Sequence, residues 1–80
     1  MDGKYWLKKI EELDVNKICY VNVLRDTLEV RACANKTYLI RIQGPDAVFT
    51  MACDKIEATK NELSFIFAGT IIARFKEKVE

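Results

Sequence analysis

From Val15 onward, apolar and polar residues alternate in short runs, and each run ends at turn-forming residues. Before that point the spacing is helical. Trp6, Ile10 and Leu13 recur at intervals of four and three, with Leu7 beside them and Lys4, Lys8, Glu11 and Glu12 opposite. Asp2 stands where an N-cap belongs, so the spacing predicts a helix over 2–13. A helix of about ten residues is marginal alone in water and must dock its apolar face, here onto a sheet. Val15–Leu24 is rich in β-branched and aromatic residues. After Arg25-Asp26-Thr27, Leu28, Val30 and Ala32 alternate with Glu29 and Arg31. A three-residue loop there places Leu24 opposite Leu28, Asn22 opposite Val30, Tyr20 opposite Ala32 and Cys19 opposite Cys33. Asn35-Lys36 supplies the next turn, and Thr37–Gln43 the next strand, with Tyr38, Ile40 and Ile42 on one face. Gly44-Pro45-Asp46 ends it, because proline has no N–H to donate to a ladder.

Ala47–Cys53 fits either a helix opened by Pro45 or a strand, and we assign it as strand. Three short runs follow: Ile56–Thr59, Leu63–Phe67 and Thr70–Phe75, separated by Lys60-Asn61 and Ala68-Gly69. The expected fold is mainly β (α+β): one short N-terminal helix, then over 15–76 an antiparallel meander of six or seven strands forming a curved sheet or small open barrel. The tail Lys76–Glu80 is charged enough to fray.

Eighty residues make a single domain, and a chain this short buries only about 60 to 65% of its unfolded surface, which predicts modest stability. Half the residues are hydrophobic and 31% are charged, a globular composition without a run long enough to span a bilayer. The formal net charge of +1 gives no field to draw in nucleic acid or an anionic membrane. Met1-Asp2-Gly3-Lys4 lacks the order of a secretory signal. The three cysteines, Cys19, Cys33 and Cys53, form no C-x-x-C pair. A cytoplasmic protein with reduced thiols is expected, Cys19 and Cys33 being cross-strand neighbours.

Histidine is absent, which removes the commonest general base and the commonest metal ligand. No phosphate-binding glycine loop, nucleophile elbow or metal-ligand spacing occurs; Gly3, Gly44 and Gly69 read as a terminus and two turns. Glu11, Glu12 and Asp14 read as a solvated polar face, and no histidine is present to activate Cys33. We therefore expect no enzyme, no cofactor and no metal.

Two binding surfaces remain. In Ile18–Leu24 both faces are apolar, and Phe65 and Phe67 oppose Ile66, more than one short helix can cover. Val21, Val23 and Ile66 are the expected exposed patch, serving a homodimer or a protein target. The alternative is single-stranded nucleic acid on a patch of Arg74, Phe75, Lys76 and Lys78.

The cadence Ile56-Glu57-Ala58, Leu63-Ser64-Phe65 and Ile71-Ile72-Ala73-Arg74-Phe75, confined to the last third of the chain, resembles that of small accessory proteins encoded by phages and mobile elements of Gram-positive bacteria, some of them anti-CRISPR inhibitors. The resemblance implies a small inhibitor or adaptor that binds a protein by occluding its surface. It carries no catalytic motif.

Overall fold

The computed structural model describes residues 2–23, 26–44 and 46–76, the side chains of Val23 and Asp26 excepted. Asp2 caps the first helix, α1 (Gly3–Glu11), its Oδ1 accepting from the backbone N–H of Lys4 (3.1 Å) and Tyr5 (3.3 Å). Lys8 and Lys9 occupy the last turn, where cations complement the exposed carbonyls. Ile10 is fully buried, and Trp6 and Leu13 pack around it.

Among the described residues seven strands follow: β1 (Ile18–Val23), β2 (Asp26–Ala32), β3 (Tyr38–Gln43), β4 (Val48–Cys53), β5 (Lys55–Thr59), β6 (Glu62–Phe67) and β7 (Thr70–Lys76). The fold is mainly β, as expected, and Ala47–Cys53 does supply a strand. Each strand pairs antiparallel with the next except at one break, which gives sheets in the order β1-β2-β3-β4 and β5-β6-β7. They do not close into a barrel. The break falls at Asp54, the single residue between β4 and β5. Its N–H donates to Ile66 O (3.0 Å) and its Oδ2 accepts from Ala68 N–H (3.2 Å), which ties the corner to the end of the β6–β7 hairpin.

The core fills the space between α1 and the inner faces of both sheets. Ile10, Val21, Leu28, Val30, Ile40, Cys53, Leu63 and Phe65 are each 0% exposed. The Phe65 and Phe75 rings meet edge to face, centroids 6.1 Å apart.

Two features depart from the sequence reading. The first is the β1–β2 register. Val21 lies opposite Leu28, Tyr20 opposite Glu29, Cys19 opposite Val30 and Asn22 opposite Thr27. Tyr20 therefore faces Glu29 rather than Ala32, a shift of three residues, and an odd shift exchanges the two faces of a strand. Asn22 explains the choice: the expected pairing placed its amide beside Val30 in the core, where an unpaired amide costs about 1 to 3 kcal/mol. Cys19 and Cys33 are consequently not cross-strand neighbours, and Leu28 lies opposite Val21 rather than the expected Leu24, which is itself outside the described residues. The second is Gly3, which is not a loose terminal glycine. It is buried, its N–H donates to Lys60 O (3.1 Å), and its Cα abuts the Thr59 and Glu62 carbonyls.

The turns carry left-handed residues. Ala34–Lys36 forms a short 3-10 turn with Asn35 at φ 61° and Lys36 at φ 56°. In the β6–β7 turn both Ala68 (φ 51°) and Gly69 (φ 81°) are positive, the requirement of a type I′ hairpin. Alanine pays roughly 1 to 2 kcal/mol to sit there, whereas asparagine tolerates it. Ala68→Asn should raise stability by roughly 0.5 to 1 kcal/mol in urea titration; a lowered midpoint would contradict the turn geometry.

Candidate protein-binding surface

The register decides which side chains of the large sheet reach solvent. Its inner rows are Val21-Leu28-Ile42-Phe49 and Cys19-Val30-Ile40-Met51. Its outer rows are Ile18-Arg31-Leu39-Ala52, Tyr20-Glu29-Arg41-Thr50 and Asn22-Thr27-Gln43-Val48. The helix packs against β5, β6 and β1, and among the described residues no element lies across the outer rows. Tyr20 is 61% exposed, Val48 49% and Leu39 42%.

Glu29, Arg31, Leu39, Arg41 and Thr50 line a shallow groove on this face. Arg41 Nη1 lies 3.8 Å from Glu29 Oε2, an ion pair at the solvent boundary that contributes little to stability. Two arginines against one glutamate leave the face positive. Tyrosine and arginine, which carry a large share of binding energy at protein interfaces, lie beside an exposed leucine.

The residues singled out from the sequence fall elsewhere. Val21 is 0% exposed and Ile66 8%, so both are buried and neither forms an open patch. Val21 turned inward with the register, and Ile66 lies on the central strand of its sheet between Lys55 and Ile71. The Val23 side chain is outside the described residues. Arg74 points to the outer face of the small sheet, its Nε 3.1 Å from Glu62 Oε1, whereas Phe75 packs inward on Phe65. Lys76 is exposed opposite Glu62, and Lys78 lies outside the described residues. Among the described residues of this set, Arg74 and Phe75 project to opposite faces and do not form a base-stacking patch. Nothing in the sequence motifs pointed to Tyr20, Leu39, Arg31 or Arg41. The usable signal was Asn22, whose polarity marks the outer face of β1.

The cysteines are free. Burial, with the Asp54 carboxylate adding to it, pushes the Cys53 thiol from 9.0 up to about 11, although a backbone hydrogen bond from Lys55 pulls the other way. Burial also raises Cys19, against the pull of Lys9. Both thiols are thus held in the neutral form and are poor nucleophiles. The unfolded chain loses these protons first, so this stabilisation is full below about pH 9 and is lost as pH rises through the folded value near 11. We expect roughly 2 to 3 kcal/mol of alkaline destabilisation from Cys53, read as the difference between the urea-derived stability profiles of wild type and Cys53→Ala from pH 8 to 11. Parallel profiles would contradict it.

Among the described residues no group of three or more histidine, cysteine, aspartate or glutamate side chains could hold a metal ion. No helix among them is long and apolar enough to cross a membrane. Compared with known proteins, the chain matches no family model, no curated protein and no solved structure.

Proposed function

We propose that the chain is a non-enzymatic binding module that occludes a surface of a protein target through the outer face of β1–β4. The uncovered groove lined by Glu29, Arg31, Leu39 and Arg41, with exposed Tyr20 opposite Glu29 on the neighbouring strand, carries this reading. Its chemistry fits a target patch that is apolar at the centre and acidic at the rim, with Tyr20 and Leu39 as anchors and the arginines as donors to carboxylates. An inhibitor or adaptor of the phage-accessory kind would act in this way, since covering a surface needs no reaction.

The test is capture from the source cell or its host with tagged wild type and two baits, Leu39→Glu and Arg41→Glu, followed by mass spectrometry. Both substitutions lie at exposed positions, so far-ultraviolet dichroism should not change. The expected result is a specific protein whose retention falls at least about tenfold with either variant, the size of one lost hot-spot side chain. Capture that is indifferent to both variants, or recovery of nucleic acid with no specific protein, would overturn the proposal.

A further inference from the structure

Strand β4 ends the large sheet, so one side of its backbone has no partner strand among the described residues. Edges are ordinarily protected by charge, proline or a bulge. In β5 and β7 that protection is visible, with Lys55 and Glu57 on one and Arg74 and Lys76 on the other, while β1 lies against α1. Val48-Phe49-Thr50-Met51-Ala52 carries no charge, proline or bulge; β6 meets the strand, tied to it at Asp54, whereas Val48 and Phe49 at the far end are 49% and 57% exposed.

We propose that β4 is the seam of a homodimer, pairing antiparallel with β4 of a second copy about a two-fold axis at Thr50. The register follows from the faces. Residues directly opposite in an antiparallel pair share a face, so the axis must pass through a residue and not between two. Centred on Thr50, the pairing uses every exposed position from Val48 to Ala52 and stops before buried Cys53. It sets Phe49 against Met51 of the second copy on the inner face, and Thr50 against Thr50 and Val48 against Ala52 on the outer face. These are aromatic–thioether, Thr–Thr and aliphatic contacts with no charge opposed to another.

The occupant is a second copy because the segment complements itself. Its uncharged edge selects an uncharged strand, and its own sequence reversed supplies a partner for each side chain. The pairing also continues the inner apolar rows across the axis. Val21-Leu28-Ile42-Phe49 of one copy runs into Met51-Ile40-Val30-Cys19 of the other, which covers the most exposed large side chain of the inner face. Thr50 belongs to both the seam and the groove, so the two outer grooves meet at the axis on one continuous face.

Sedimentation equilibrium tests this up to ~1 mM, where an edge contact of about five residues should populate. Wild type should rise from 9.2 kDa toward twice that mass. Val48→Lys/Ala52→Lys should stay at the monomer mass, since each opposed pair then sets like charges together. Val48→Glu/Ala52→Lys should associate as wild type does, because only the Thr50-centred register faces the glutamate of one copy with the lysine of the other at both ends. Unchanged dichroism shows that each variant is folded. A monomeric wild type, association by the double-lysine variant, or failure of the Glu/Lys variant to associate would each overturn the proposal.

Discussion

Alanine in place of Gly3 should remove about 3 kcal/mol or more of stability, a large share of the roughly 4 to 12 kcal/mol that a chain of this size has. A Cβ on Gly3 would fall inside van der Waals contact with both the Thr59 and the Glu62 carbonyl oxygens. Both are backbone atoms at the β5–β6 turn, so neither can rotate aside as a flexible side chain would. The helix must instead lift, breaking the Gly3 N–H bond to Lys60 O and uncovering Ile10, which is 0% exposed. A nine-residue helix has little stability of its own once undocked. Urea titration followed by the fluorescence of Trp6, the one tryptophan, reads both the lower midpoint and the shift of the indole toward water. A loss below about 0.5 kcal/mol would mean that the helix does not rest on this turn.

Lysine at Val21 should be about as damaging, and lysine at Leu39 nearly silent. Val21 is 0% exposed and faces Leu28, so an ammonium there either loses its water or forces β1 off the sheet, at about 4 kcal/mol or more. Leu39 lies on the outer face at 42% exposure, and its replacement should stay within about 0.5 kcal/mol. The contrast separates folding from binding: Val21→Lys should fail in denaturation, and Leu39→Lys only in capture of a target. Equal stability of the two variants would contradict the assignment of faces.

The elements themselves were legible because local chemistry specifies them. Asp2 and the spacing of Trp6, Ile10 and Leu13 mark α1, and Lys60-Asn61 and Ala68-Gly69 mark the last two hairpins. What was not legible depends on contacts distant in sequence. The strand Ile18–Val23 is apolar on both faces, so its own pattern admits either orientation, and only the cost of burying Asn22 separates them. Gly3, two residues from Met1, reads as a terminus until the β5–β6 turn is placed against it. Similarly, the division into two sheets rests on the hydrogen bonds of Asp54 to Ile66 and Ala68, twelve and fourteen residues away. The candidate site inherited the same ambiguity, because exchanging the faces of β1 buries Val21 and frees Tyr20. Arg41 and Leu39 belong to no motif and gain significance only as neighbours of Tyr20 and Arg31 on an uncovered sheet.

The free face of β1–β4 stands or falls with the β1–β2 register, which cross-strand nuclear Overhauser effects read directly. Backbone contacts linking Tyr20 with Glu29 and Cys19 with Val30, together with side-chain contacts between Val21 and Leu28, are the expected result. Contacts linking Tyr20 with Ala32 and Cys19 with Cys33 would contradict it and return Tyr20 to the interior.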